Sequence, residues 1–358
     1  MSFSSEVTKE SIHTLDAANM AAAIAGMSSH LEDAAKRTLE ALSSIDLPDK
    51  SGIQNIVLAG LGGSAIGGDL VRSYLQSKLS VPFAINRTYD LPGYVGSNTL
   101  VIVSSYSGST EESLSMFEQA IKHGAKILCI TTGGKLEGLA SEHGLPIIIL
   151  PKGFQPRAAL AYSFVPVLLS LEKMGFTSGE SEQINDAATA LAQLSEMYGV
   201  SNLSDSNLAL HLAHILLPKI PVIYSANDLF DTVNIRWRGQ IQENGKHVAF
   251  GNILPEMNHN EINGWDFPDA SQDKFQVVFL RSEQDEHSQV TKRFGILHDV
   301  LESKGVAIRE CHAQGNSRLA RMFSLIALGD WISYYMALLG GVDPSPVPVI
   351  QTLKAKLV

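Results

Sequence analysis

Short apolar runs alternate with segments of helical periodicity over most of the chain. In the first half these runs predict strands at residues 55–61, 81–85, 100–105, 126–131 and 146–150. In the second half they predict strands at residues 221–225, 247–250, 275–280 and 306–310. Apolar strands separated by helices are typical of parallel sheets that carry helices on both faces. The pattern therefore predicts an α/β fold.

The helical segments divide the chain into two halves. Residues 10–45 predict one or two helices, and a long helix near 157–174 is followed by a polar stretch at 175–181. Further helices are predicted near residues 206–216, 230–243, 286–304 and 317–340. Because 358 residues exceed the usual size of one domain, we predict two tandem doubly wound domains with mainly parallel sheets flanked by helices. Their predicted bounds are residues 1–178, which include the N-terminal helices, and residues 179–358.

Composition and charge limit which binding partners and which cellular location we expect for the protein. The net charge of −10 argues against nucleic acid or an anionic membrane as the main partner. The two cysteines, Cys129 and Cys311, have neither metal-binding nor redox spacing, which fits a reducing cytoplasm. The N-terminal residues lack the pattern of a signal peptide. The run 323–341 imitates a membrane span, but Asp330 in its middle favours a buried core helix. We therefore expect a cytoplasmic protein.

A serine-rich turn follows the third predicted strand. Ser105, Ser107 and Thr110 lie between this apolar strand and an amphipathic helix, with the flexible Gly108 among them. Hydroxyl donors at the N-terminal end of a helix suit a dianionic phosphate, because backbone N–H groups and the helix dipole add to the attraction. Helix capping by Ser and Thr is the alternative explanation. Three hydroxyls within six residues favour a phosphate site.

A glycine-rich loop, GLGGSAIGGD, follows the first predicted strand. It can be read as part of a dinucleotide-binding fingerprint. That interpretation requires an acidic residue at the end of the next strand, where the chain has Asn86 and Arg87; Arg87 leaves NADP open as a ligand. Gly63 and Ser64 in this loop, together with the serine turn, instead place hydroxyls on two neighbouring strand-to-helix turns. That arrangement favours a terminal monophosphate over a dinucleotide.

These two turns resemble those of the sugar isomerase (SIS) domain proteins, in which GGS and SxSGxTxE turns hold the phosphate of a sugar phosphate. The resemblance extends to the family of bifunctional phosphoglucose/phosphomannose isomerases through four further blocks: PRAAL, QENGK, EMNHNEINGW and the terminal VDPSPVPVIQTLKAKL. Together with the two turns, these blocks extend from about residue 55 to the C-terminus. The chain departs from the family pattern at Ser109, where Asn is common after the glycine. The N-terminal helices are a second departure, and the resemblance implies no role for them. Two SIS-type domains are implied.

The resemblance also implies roles for four residues. Glu243 in QENGK is similar to the base that moves a proton between C2 and C1 of the sugar, through a cis-enediolate. His259 in EMNHNEINGW resembles the histidine that helps to open the sugar ring, and in this family it enters the site from the partner subunit of a homodimer. Lys354, with Lys356 as a rival, resembles a lysine for ring opening or substrate binding. Arg157 resembles an arginine that stabilises the enediolate.

The sequence offers weaker signals for other functions. His211 and His214 have the spacing of half a metal site, but no carboxylate or cysteine cluster supports it. The family resemblance implies an isomerase without metal or organic cofactor that interconverts glucose 6-phosphate and fructose 6-phosphate, and also uses mannose 6-phosphate. Two alternatives stay open: a non-catalytic or regulatory sugar-phosphate-binding protein, and an SIS isomerase for an amino-sugar or pentose phosphate.

Overall fold

Two parallel sheets form the framework of the computed structural model, which describes residues 6–227, 229–266 and 272–356. In the first sheet the strand order is β2-β1-β3-β4-β5, and in the second it is β7-β6-β8-β9. The strands are β1 (Asn55–Ala59), β2 (Phe83–Asn86), β3 (Thr99–Ser105), β4 (Lys126–Thr131), β5 (Ile147–Ile149), β6 (Ile220–Ala226), β7 (Phe250–Leu254), β8 (Phe275–Arg281) and β9 (Ala307–His312). All pairings among them are parallel. The predicted fold class is confirmed.

Most strands are connected by helices in the crossover manner of parallel sheets, whereas β2 and β3 are joined by a loop and β7 and β8 by a segment with short 3₁₀ helices. The α-helices are α1 (Lys9–Leu15), α2 (Met20–Ala25), α3 (Met27–Leu42), α4 (Gly62–Leu75), α5 (Glu111–Lys122), α6 (Gly134–Glu142), α7 (Leu160–Lys173), α8 (Glu180–Tyr198), α9 (Leu208–Leu216), α10 (Asp231–Glu243), α11 (Ser288–Ser303), α12 (Arg318–Leu339) and α13 (Pro348–Lys356). The order in which successive strands are added to the sheet reverses between β1 and β3 in the first sheet and between β6 and β8 in the second. In open α/β sheets, ligands bind at such switch points.

The chain forms two compact units, one around each sheet. The first unit consists of Gly26–Thr189 and Ser317–Ala320, and the second of Met1–Ala25, Ala190–Asn316 and Arg321–Val358. This division differs from the predicted boundary at 178/179. The first two helices belong to the second unit because Asp16 at the end of α1 is buried and accepts a hydrogen bond from Tyr334 of α12, 3.1 Å away.

The predicted elements differ from the structure at three places. Residues 10–45 form three helices rather than one or two, and α8 had no counterpart in the prediction. The strand predicted at 247–250 is wrong, because β7 begins where that run ends and extends to Leu254. Residues 247–249 form a loop in which Val248 is exposed. The apolar run therefore marks a surface segment next to the strand.

The long apolar helix α12 lies in the core of the second unit. By length and composition it is long and apolar enough to cross a membrane, yet its whole apolar window is buried within the protein. Its one carboxylate, Asp330, accepts hydrogen bonds from the guanidinium of Arg236 at 2.6 Å and from the amide of Gln240 at 3.0 Å. Both partners lie on α10. The burial of this helix is what the sequence pattern predicted, and the hydrogen bonds to Arg236 and Gln240 satisfy its carboxylate.

Candidate functional site

The glycine-rich turn brings two backbone segments close together in the first unit. It begins α4 directly after β1, and Gly62 has a φ of +52°, which favours glycine. A Cβ on Gly63 would lie 2.5 Å from the carbonyl oxygen of Pro156, and a Cβ on Gly60 would lie 2.7 Å from that of Ser104. Glycine is therefore needed here for close packing against β3 and against the segment that carries Arg157.

The serine turn forms a cluster of three hydroxyls between β3 and α5. Ser105 is buried at the end of β3, and its hydroxyl lies 3.2 Å from that of Thr110. The hydroxyl of Ser107 lies 3.5 Å from the same oxygen. Thr110 occupies the N-cap position of α5, but its side chain makes no capping hydrogen bond. Helix capping thus does not account for Thr110, and the predicted grouping of the three hydroxyls is found.

A hydrogen bond joins the two turns. The hydroxyl of Ser64, in the first turn of α4, accepts the backbone N–H of Tyr106 at 3.0 Å. Ser64 is buried, whereas Ser107 is exposed. The five predicted phosphate-binding residues, Gly63, Ser64, Ser105, Ser107 and Thr110, therefore lie on two linked turns at the carboxyl ends of neighbouring strands, where the N-termini of α4 and α5 also lie. This arrangement can hold an anion by hydroxyls and helix dipoles together.

Gly108 is essential to the shape of the serine turn, and we expect Gly108→Ala to destabilise the protein by about 2 kcal/mol and to abolish phosphate binding. Its φ is +66°, and an added Cβ would collide with the backbone carbonyl of Gly133. Urea unfolding and titration with inorganic phosphate measure the two effects.

Gly138→Ala is the matched control. Gly138 lies within α6, where an added Cβ meets nothing within 4 Å. Alanine there should leave phosphate binding unchanged and add about 0.5–1 kcal/mol of stability. Equal behaviour of the two variants would contradict the role assigned to Gly108.

Arg157 lies in the segment between β5 and α7 and is 7% exposed. The preceding residue, Pro156, packs against Gly63 of the glycine-rich turn, so a buried arginine follows that contact in the same unit as the hydroxyl cluster. Arg87, which had left NADP open, donates instead to the carboxylate of Asp69 on α4. Burial lowers the pKa of Arg87.

Glu243 is the last residue of α10 in the second unit, and it is half-buried. Two neighbours fix the backbone there. The amide of Asn244 donates to the hydroxyl of Ser333 on α12 at 3.0 Å, and the ammonium of Lys246 donates to the carbonyl of Glu243 at 2.6 Å and to that of Pro344 at 3.1 Å. A cation at a helix C-terminus also suits the helix dipole.

Glu243 lines a groove of about 630 Å³ that reaches the first turn of α13. The lining includes apolar side chains of Val248, Val347, Val349 and Ile350. Lys354 lies further along α13, and the prediction for its side chain falls outside the described residues. Glu243 and the helix that carries Lys354 are thus brought to one groove.

His259 ends a short 3₁₀ helix after β7 and is exposed. Glu261 anchors this segment to the second sheet, because its carboxylate accepts hydrogen bonds from Tyr224 of β6 and, at 2.6 Å, from the amide of Asn252 of β7. The indole of Trp265 donates to the hydroxyl of Tyr224 at 3.1 Å. Burial, with the nearby Glu261, raises the pKa of Tyr224. The exposed histidine is therefore carried by a firmly held segment.

Three structural residues of the site were missed by the sequence reasoning: Tyr106, Lys246 and Glu261. Tyr106 lies in the serine turn, Lys246 in QENGK and Glu261 in EMNHNEINGW. Membership in these motifs could therefore have identified all three from the sequence. No group of three or more His, Cys, Asp and Glu side chains arranged to hold a metal occurs among the described residues. His211 and His214 are exposed on α9.

Comparison with protein families matches both halves of the chain. Residues 51–173 match the SIS domain, and residues 205–357 match the bacterial phospho-glucose isomerase C-terminal SIS domain. These ranges contain the two parallel sheets.

Individual proteins give the same result. A bifunctional phosphoglucose/phosphomannose isomerase from Caldicellulosiruptor bescii is 45% identical over 305 residues, which cover 85% of this chain and 90% of that protein. One from Aquifex aeolicus is 38% identical over 310 residues, covering 86% and 92%. Among solved structures, a hypothetical protein from Thermus thermophilus has a TM-score of 0.71 at 14% identity, covering 98% of this chain and 92% of its own; this last likeness concerns the fold alone.

Proposed function

This chain belongs to the family of bifunctional phosphoglucose/phosphomannose isomerases, and we propose that it interconverts glucose 6-phosphate and fructose 6-phosphate and also uses mannose 6-phosphate. The observation that carries this proposal is the pair of linked turns, whose hydroxyls are grouped and, at Thr110, not used for helix capping. Such a group suits the terminal phosphate that all three sugars share.

The phosphate acts as a handle that positions the reacting carbons. The hydroxyls of Ser64, Ser105, Ser107 and Thr110 bind it, and α4 and α5 add the positive ends of their dipoles. Arg157, from the same unit, stabilises the negative charge that develops on the enediolate oxygens. Its burial supports this role, since a guanidinium shielded from water interacts more strongly with a developing anion.

Glu243 moves the proton. Its carboxylate removes the proton from C2 of the open-chain aldose, the C–H electrons form the double bond between C1 and C2, and the electrons of the C1 carbonyl move to its oxygen. A proton then passes from the C2 hydroxyl to the C1 oxygen, and return of the carboxylate's proton to C1 gives the ketose. Glucose 6-phosphate and mannose 6-phosphate differ only at C2, so both give the same planar enediolate. Use of both substrates then requires that the substrate can turn about the C2–C3 bond in the site.

His259 opens the sugar ring by proton transfer at the ring oxygen, since an imidazole has one nitrogen that can donate a proton and one that can accept it, and Lys354 assists it or binds the substrate. We place His259 in the site of the partner subunit of a homodimer. Two features of the second unit support a partner: His259 is exposed, and exposed apolar side chains are found at Val248 (54%), Phe250 (56%) and Val349 (80%). Exposed apolar groups of this kind mark interaction surfaces.

Acid–base chemistry at these residues needs neither metal nor organic cofactor, and we place the reaction in the cytoplasm, where the two buried free thiols stay reduced. A coupled assay with glucose 6-phosphate and mannose 6-phosphate, with and without a chelator, tests the proposal. We expect fructose 6-phosphate from both sugars and equal rates with chelator.

Assays with glucosamine 6-phosphate and a pentose 5-phosphate are run in parallel. Turnover of one of these alone would replace the proposed substrate by an amino sugar or a pentose. Binding without turnover of any sugar phosphate would favour the non-catalytic alternative. Loss of activity with chelator would contradict the metal-free mechanism.

A further inference from the structure

Tyr106 occupies the middle of the serine turn and makes five hydrogen bonds in three directions. Its N–H donates to Ser64, as described, and its carbonyl accepts the N–H and the hydroxyl of Thr132, at 3.1 and 2.7 Å. Its phenolic hydroxyl donates to the carbonyl of Pro151 at 2.9 Å and accepts the N–H of Phe154 at 3.1 Å. The backbone thus fixes the phosphate-binding turns, whereas the side chain reaches another segment.

That other segment is the Arg157 loop, which we define as residues 151–159. It connects β5 to α7 and contains no regular secondary structure. Besides Tyr106, packing contacts hold the loop, among them Pro156 against Gly63. The ring of Phe154 lies 5.2 Å from that of Tyr162 and 4.9 Å from that of His30, between centroids. The described hydrogen bonds between residues 151–154 and the serine turn are both made by the phenolic oxygen of Tyr106.

We propose that Tyr106 is a positioning residue: its hydroxyl fixes the Arg157 loop relative to the serine turn, so that the guanidinium is held at a set distance from the bound phosphate. This proposal rests on the proposed function for the role of Arg157. The physical reason is the steep dependence of electrostatic stabilisation on position, since a misplacement of about 1 Å can lower the rate about 100-fold.

The side chain and backbone of Tyr106 have separable functions. Tyr106→Phe removes the phenolic oxygen alone, which leaves the carbonyl of Pro151 and the N–H of Phe154 without this partner. The backbone N–H still donates to Ser64, so the phosphate-binding turns keep their link. The variant should therefore affect the enediolate and spare the phosphate.

We expect Tyr106→Phe to lower kcat about tenfold and to leave KM for glucose 6-phosphate within about twofold. Two non-reacting probes separate the effects in calorimetric titrations. Arabinonate 5-phosphate carries a carboxylate that imitates the enediolate charge, and it should bind about tenfold more weakly to the variant. Glucitol 6-phosphate has no such charge and should bind with unchanged affinity.

Tyr94→Phe is the matched control, because Tyr94 is 55% exposed in the same unit; it should leave kcat and both affinities unchanged. Phe154→Leu is a second, independent variant that loosens the same loop by removing the ring contacts with Tyr162 and His30. It should reproduce the selective loss of kcat and of arabinonate 5-phosphate affinity, and it decides the question if Tyr106→Phe does not fold.

Unchanged kcat and unchanged affinities in Tyr106→Phe would overturn the proposal. Equal loss of affinity for both probes would also overturn it, because the hydroxyl would then act on phosphate binding rather than on the position of Arg157. Failure of the proposed function can be distinguished from failure of the proposal for Tyr106. If the proposed function is wrong, the wild-type protein turns over neither glucose 6-phosphate nor mannose 6-phosphate, and the ratio of the two probe affinities still tests Tyr106.

Discussion

Replacing Glu243 by glutamine should lower kcat about 1,000-fold and leave the affinity for glucitol 6-phosphate unchanged. A positioned general base contributes about 10²–10⁴-fold to a rate, and glutamine keeps the shape of the side chain but cannot accept the C2 proton. The backbone around it is held by Asn244 and Lys246, whose contacts use the hydroxyl of Ser333 and main-chain carbonyls. Steady-state kinetics with glucose 6-phosphate and calorimetry with glucitol 6-phosphate measure the two quantities.

Glu302→Gln serves as the control for Glu243→Gln. Glu302 is an exposed carboxylate in the last turn of α11, in the same unit, and its loss should change neither kcat nor binding. A second readout follows from the mechanism: exchange of the C2 proton of glucose 6-phosphate with deuterium in the solvent should cease in Glu243→Gln. Turnover of Glu243→Gln at the wild-type rate would exclude Glu243 as the base.

The two strand-to-helix turns and their grouped hydroxyls could be predicted from the sequence because their physics is local. A strand, a short run of hydroxyl-bearing residues and a helix follow one another directly, so the residues that act together are neighbours in the chain. The structure adds the link from Ser64 to Tyr106, which joins two turns that are about forty residues apart in sequence. The contact of Gly63 with Pro156 depends on strand order and could not be read from spacing.

The second unit was harder to predict because its local preferences conflict with its tertiary contacts. Strand β7 contains Gly251 and Asn252, both poor strand formers. Gly251 is required because a Cβ there would collide with the carbonyl of Ile223, and the amide of Asn252 is committed to Glu261. The neighbouring run of Val248 to Phe250 has the better strand composition but only its last residue is in the strand.

Roles of single residues required the family resemblance. By composition Glu243 is a polar residue near a helix end, and His259 is an exposed histidine on a 3₁₀ helix. The roles proposed for them depend on the substrate and, for His259, on the proposed second subunit, and neither is encoded in local periodicity. This makes the subunit origin of His259 the part of the mechanism that most needs a direct test.

Mixing two inactive variants should restore activity if His259 acts across a homodimer. Glu243→Gln and His259→Ala are each expected to be almost inactive alone. When they are unfolded together, refolded at equal concentrations and allowed to pair at random, about half of the dimers contain one chain of each kind. In such a dimer one site lacks both residues, and the other has the native Glu243 of one chain and the native His259 of the other.

The mixture should therefore reach about a quarter of the activity of the same amount of wild-type protein. If His259 acts within its own chain, every site in the mixed dimer lacks one of the two residues, and the mixture stays as inactive as its components. Refolded wild-type protein corrects for refolding yield, and a mixture of Glu243→Gln with Glu243→Ala should remain inactive under both arrangements. Sedimentation at the assay concentration checks that dimers are present, since a monomeric wild-type enzyme with full activity would contradict the proposed contribution of His259 to a partner's site.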